Sequence, residues 1–108
     1  MEEIEVVQSL AALAQGMRLR VFRLLVVAGK TGLTPGAIVE QIDVPAATLS
    51  FHLKELVNAG LVTQERDRRY LIYRAAFDRM NALLGYLTAN CCQGEVCAVA
   101  DRKSCSTC

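Results

Sequence analysis

Residues 45–74 read PAATLSFHLKELVNAGLVTQERDRRYLIYR, and two different periodicities meet in that stretch. In its first half Leu49, Leu53, Leu56 and Val57 recur at helical spacing and form one apolar stripe. Pro45 suits the first helical position, and Gly60 suits a left-handed C-terminal cap. Thr48, Ser50, Phe51, His52 and Lys54 are assigned to the opposite face or its border, which is polar near its N-terminus and free of carboxylates. A helix with such a face fits a DNA major groove. In the second half, two β-rich runs flank Glu65-Arg66-Asp67-Arg68-Arg69, which makes a hairpin with a basic tip. The expected fold is therefore a winged helix-turn-helix, mainly α with a small β-hairpin, in the order α-α-α-α-β-β-α.

Upstream of that stretch, Glu3 to Leu13 reads as an amphipathic helix with Ile4, Val7, Leu10 and Leu13 on one face, suited to a partner subunit. Gln15-Gly16 breaks it. Met17 to Ala28 is the most hydrophobic helix and the expected central core element, ended by Gly29. Thr34 caps a short helix that has Pro35 at its first position and runs to about Ile42, with Asp43-Val44 as the turn before the recognition helix. After the hairpin, a last helix opens near Ala75 or Ala76, carries Phe77, Met80, Leu83, Leu84 and Leu87, and runs to about Asn90. Residues 1–92 are read as the DNA-binding and dimerisation domain, and 93–108 as a cysteine-rich tail without an apolar period.

The totals bound the function. The 108 residues are 53% hydrophobic and carry a net charge of +1, so the chain is long enough for one core, and any basic surface must be local. It is local: residues 16–39 hold Arg18, Arg20, Arg23 and Lys30 without one carboxylate. A small, nearly neutral domain needs many phosphate contacts for useful affinity, and symmetry doubles them. The expected partners are thus double-stranded operator DNA and a second copy of the chain. The acidic MEEIE start is unlike a signal peptide, and the longest apolar run, Leu24 to Ala28, is too short to span a bilayer. The expected location is the cytosol.

All five cysteines, Cys91, Cys92, Cys97, Cys105 and Cys108, fall in the last 18 residues. An odd count in a reducing compartment is a poor disulfide framework, and a polar tail gives thiols no core to pack in. A soft-metal or metalloid site is the better reading. Structural zinc takes four tetrahedral ligands, commonly from C-x-x-C pairs, and only Cys105 and Cys108 have that spacing. Trivalent arsenic or antimony is satisfied by three thiolates. Cys91 and Cys92 would sit about 100° apart on a continuous helix, so the helix must fray or restart there, and Gly94 allows the chain to fold back towards Cys97. As(III) or Sb(III) is therefore favoured over zinc as the inducer, with Cys105 and Cys108 auxiliary.

The segment Thr48 to Val62 resembles the recognition helix of the arsenic-repressor (ArsR/SmtB) family of bacterial metal-sensing transcription factors. The family pattern S-x-H-L-x-x-L-x-x-x-G-L-V is met by Ser50, His52, Leu53, Leu56, Gly60, Leu61 and Val62. LAALAQGMRLRVFRLL, from Leu10 to Leu25, is similar to the family's opening stretch, and the two matches span roughly residues 5–90. The resemblance implies a repressor without enzymatic activity or catalytic cofactor. It places Ser50 and His52 on phosphate or base edges, with Thr48 and Lys54 beside them, and Arg66, Arg68 and Arg69 of the wing on phosphate or the minor groove. Phe51 is unusual at its position and suits either a thymine methyl or simple packing. Some members hold arsenic through a C-V-C-D motif in the first helix of the helix-turn-helix. Residues 36–42 here contain no cysteine, so Cys91, Cys92 and Cys97 resemble the other arrangement, a Cys-Cys pair and a third cysteine after the final helix. The family's Asp and His metal sites are disfavoured, because Asp78 has no histidine near it. Alternatives remain: a sensor of methylated arsenicals, of Cd, Pb or Zn, or of thiol oxidation, and, from other classes, a small thiol reductase or a metal chaperone.

Overall fold

The computed structural model describes residues 1–94. Helix α1 spans Glu3–Leu13, α2 Gly16–Ala28, α3 Pro35–Gln41 and α4 Ala46–Asn58; strands β1, Val62–Asp67, and β2, Tyr70–Ala75, follow, and then α5, Phe77–Leu87. Short 3-10 turns lie at Gly29–Thr31 and Cys91–Gly94. The order of helices and strands is the expected one.

Local chemistry sets most of the boundaries. Glu2 and Glu5 form a reciprocal capping box at the start of α1. The Gln15 side chain accepts from the Arg18 amide at 2.9 Å and so caps α2 as well as breaking α1. Thr34 does the same for α3, accepting from Ala37 N at 3.2 Å, with Pro35 at the first helical position. Pro45 differs from expectation. Its ψ of 144° is extended, so it is the N-cap of α4 rather than its first residue, and its carbonyl accepts from Leu49. At the other end Gly60 has φ +79°. The amide of Leu61 donates to Leu56 at 3.1 Å and that of Gly60 to Val57 at 2.9 Å, which is a Schellman closure.

The core lies where α2, α3 and α4 meet the base of the hairpin. Val21, Leu25, Ile38, Leu49, Leu53, Leu56 and Leu61 are at most 1% exposed, so α4 is anchored on its whole inner face. Beta-strand β1 pairs antiparallel with β2 from Val62↔Ala75 to Asp67↔Tyr70. The turn is therefore Arg68-Arg69 alone; Glu65, Arg66 and Asp67, read from sequence as part of the tip, are ladder residues. Leu33 adds a single bridge to Tyr73 on the free side of β2. One expectation about the ends also shifts. Helix α5 stops at Leu87, short of Asn90, where the chain takes φ +57° and restarts as the Cys91–Gly94 turn. On α1 the buried residues are Val6 and Ser9, while Ile4, Val7 and Leu10 face outwards.

Candidate nucleic-acid interface

Helix α4 is amphipathic in the sense a groove-binding helix requires. Ala46, Ala47, Thr48, Ser50, Phe51 and Lys54 are exposed along its outer side, and Phe51 keeps 56% of its surface in solvent. Its first turn has no acidic residue, and no side chain caps it. Those amides form the positive end of a 13-residue helix dipole, an arrangement that favours a phosphate.

His52 does not share that surface. It is 7% exposed, and the reason is helical phase: it lies three residues after Leu49 and four before Leu56, both buried, so it falls on the inner stripe. The assignment of its side chain to the outer face is corrected accordingly. Its Nδ1 is buried without a hydrogen-bond partner. Burial, foremost, and the nearby Arg18 charge push its pKa below the usual histidine value, with Glu55 opposing. The ring therefore sits neutral beneath the recognition face, edge-on to Phe51 at 5.5 Å between centroids.

The wing projects the second set of residues. Every β1 residue after Val62 is exposed, as are Arg68, Arg69 and Tyr70. Tyr73, by contrast, is 9% exposed and packs in the core. Residues 62–75 carry four arginines against Glu65 and Asp67. One carboxylate is engaged, since Arg74 Nη1 lies 2.7 Å from Glu65 Oε1. That pair cancels, and the surplus of two positive charges falls on Arg66, Arg68 and Arg69 against Asp67, at and beside the tip. Arg68 occupies the first turn position at φ +61°, a left-handed backbone that is uncommon for a residue with a long side chain.

Two arginines with structural roles were not singled out in the sequence. Arg74 also donates from Nε to the Lys30 carbonyl at 2.7 Å. Arg79 of α5 pairs with Glu5 of α1 at 3.4 Å. It also lies against Gly60, where a Cβ would come within 2.8 Å of its Nη2. Glu5 is held below the usual carboxylate range, chiefly by the hydrogen bond from the Glu2 amide, and Arg79 adds to this. These partners are 44 and 74 residues apart in sequence, beyond the reach of any local periodicity.

At the other end of the molecule, Thr88 Oγ1 donates to Leu84 at 2.8 Å and the Cys91 amide to Thr88 at 3.0 Å. Cys91 is half-buried there. Among the described residues no group of three metal-ligating side chains comes together. Cys97, Cys105 and Cys108, and with them the expected thiol triad, lie outside the described residues. No described helix is long and apolar enough to cross a membrane.

A family model for a helix-turn-helix domain matches residues 13–65, the end of α1 through β1. No curated protein matches the chain. Among solved structures, it is similar to an ArsR-like transcriptional regulator from Rhodococcus sp. RHA1, with a TM-score of 0.70 at 24% identity over 78% of this chain and 76% of that one. It is also similar to HlyU from Vibrio cholerae N16961, solved in a reduced form too, with a TM-score of 0.63, 26% identity, and coverage of 81% of this chain and 97% of that one. A third relative is a homodimeric winged helix-turn-helix DNA-binding domain from Mycobacterium bovis, a possible ArsR-family regulator. It has a TM-score of 0.63, 29% identity and 84% coverage of each chain. Helix, turn, exposed recognition face and basic wing thus define a winged helix-turn-helix transcriptional regulator. The regulators it is similar to are of the ArsR and HlyU type.

Proposed function

We propose that the chain is a homodimeric repressor that leaves its operator when As(III) or Sb(III) binds Cys91, Cys92 and Cys97. The observation that carries this reading is the behaviour of the backbone after α5. The helix ends at Leu87, and Asn90 and Gln93 both take φ +57°, so Cys91 and Cys92 lie in a separate 3-10 turn rather than on a continuation of α5. Beside it, α5 and α1 present Leu84, Leu87, Ile4 and Val7 to solvent at 41–67% exposure, an apolar surface that suits a second copy. The homodimeric relative from M. bovis supports that assembly. Two recognition helices are then held about 34 Å apart, one DNA turn. Thr48, Ser50, Phe51 and Lys54 meet the major groove, Arg66, Arg68 and Arg69 meet phosphate or the minor groove, and His52 supports α4 from beneath. Closing three thiolates around a metalloid at the end of α5 tilts the halves. A coupling of about 3 kcal/mol lowers operator affinity about 150-fold, and DNA weakens metalloid binding by the same factor.

Duplex binding with and without As(III) tests the reading. X-ray absorption on the loaded protein is expected to show three sulfur neighbours, retained in the Cys105→Ser/Cys108→Ser variant. Loss of response in that variant, with Cys97→Ser still responding, moves the site to the end of the tail. A second reading is a thiol-oxidation switch, supported by the reduced form in which the relative HlyU has been solved. Release of DNA by a mild oxidant, insensitive to As(III), selects it.

A further inference from the structure

We infer that Arg74 is a positioning residue that sets the attitude of the wing and thereby delivers Arg68 and Arg69 to the DNA backbone; this rests on the wing reading above. A two-stranded ribbon is marginal by itself, and in this one β1 is exposed from Thr63 to Asp67, so beyond Val62 only β2 packs on the body, through Leu71, Tyr73 and Ala75. Its direction is therefore set where it leaves the body. Three contacts meet there. The bridge Leu33↔Tyr73 closes with bonds of 2.9 and 2.8 Å. Gly32, at φ +71°, lies so close to β2 that a Cβ would stand 2.7 Å from the Tyr73 carbonyl oxygen and 2.8 Å from Arg74 Cγ. Arg74 then spans the joint: its Nε binds the Lys30 carbonyl and its Nη1 binds Glu65, each at 2.7 Å. One guanidinium so ties both strands to the turn after α2.

The bridge and Gly32 hold only β2. Arg74 reaches the exposed part of β1, through Glu65, and it places a cation against the carbonyl end of α2 and its following turn. The planar guanidinium offers these two donors at fixed geometry, which the single ammonium of lysine does not. The same contact occupies the carboxylate of Glu65, an exposed acidic residue of the ribbon.

The test is a double-mutant cycle on a mixed-sequence duplex, because phosphate contacts are sequence-independent. In the wild-type background, Arg68→Ala/Arg69→Ala is expected to weaken binding about tenfold, with the salt slope falling by about two per protomer. In an Arg74→Met background the same pair of changes is expected to weaken it by less than about twofold, a coupling that contacting or allied residues show and distant ones do not. Arg74→Lys keeps one of the two bonds and is expected to fall between, and it carries the cycle should Arg74→Met not fold. An undiminished loss in the Arg74 backgrounds overturns the positioning role and leaves the wing reading intact. No loss on removing the tip arginines from wild type overturns both.

Discussion

The recognition helix and the wing are the two regions proposed to meet DNA, and they are built on opposite plans. Helix α4 is held along its length: Leu49, Leu53 and Leu56 are at most 1% exposed, and a Schellman closure fixes its end. The wing is held through one strand, where Leu71 and Tyr73 of β2 pack on the body and the Leu33 bridge, the tight Gly32 contact and the Arg74 clamp fix the base. Reading base edges needs side chains placed to within a hydrogen bond, whereas touching phosphates needs charge at roughly the right height. A rigid reader beside a tethered counter-charge follows from that difference.

The contrast is broken most severely from below α4. Leu56→Ala removes a fully buried side chain and is expected to cost about 2–5 kcal/mol by chemical denaturation. In a small domain that is a large share of total stability, so DNA binding is lost with the fold. Next in size is Gly32→Ala. At φ +71° and ψ −175° Gly32 occupies a region essentially reserved for glycine, where an L-residue costs about 1–3 kcal/mol, and here the new Cβ also meets a backbone oxygen that cannot swing away. Gly60→Ala is the matched control on the helix side. Its φ is similarly positive, but the obstructing atoms belong to the flexible end of Arg79, so it is expected to cost less. Gly32→Ala should reduce duplex affinity beyond its effect on stability, Gly60→Ala should not; equal effects would mean the wing is not specially dependent on its base.

Where the sequence was legible, one local rule was enough. Thr34 and Pro35, Gly60, and the alternation on either side of the arginine pair each announce an element through neighbours within four residues. His52 was misplaced because polarity was given more weight than phase; counting from Leu49 and Leu56 puts it inside. The ends of α5 and the strands shifted by a few residues because helix and ladder boundaries depend on which amides find partners. Arg74 and Arg79 were invisible in their roles, since their partners come together only when the chain has folded. The thiol triad is legible as a cluster in sequence, but two of its members, Cys91 and Cys92, are all that the described fold contains.

His52 sharpens the comparison through pH. Its native pKa lies below the unfolded value of 6.5, so the unfolded chain binds the proton more readily than the native one. Stability is then full above about pH 6.5 and declines as pH falls from there through the lower native pKa. Thermal melts from pH 8 to pH 5 are expected to show that decline, and His52→Gln is expected to flatten it. A wild-type decline that survives in His52→Gln assigns it to other groups.

The smallest effect separates charge from backbone at the wing tip. Arg68 takes φ +61°, where glycine is at ease and an L-residue is strained by about 1–2 kcal/mol at most. Arg68→Gly relieves that strain but also loosens the unfolded chain, which offsets part of the gain; the expected net change is a stabilisation of under about 1 kcal/mol. The same substitution deletes a cation, and the slope of log affinity against log salt is expected to fall by about one per protomer. Arg69→Ala changes the charge equally without the strain at that position. If both variants flatten the salt slope alike and only Arg68→Gly raises the melting temperature, Arg68 is retained at a strained position for its charge. A slope unchanged in Arg68→Gly but reduced in Arg69→Ala would assign the phosphate contact to the second turn residue alone.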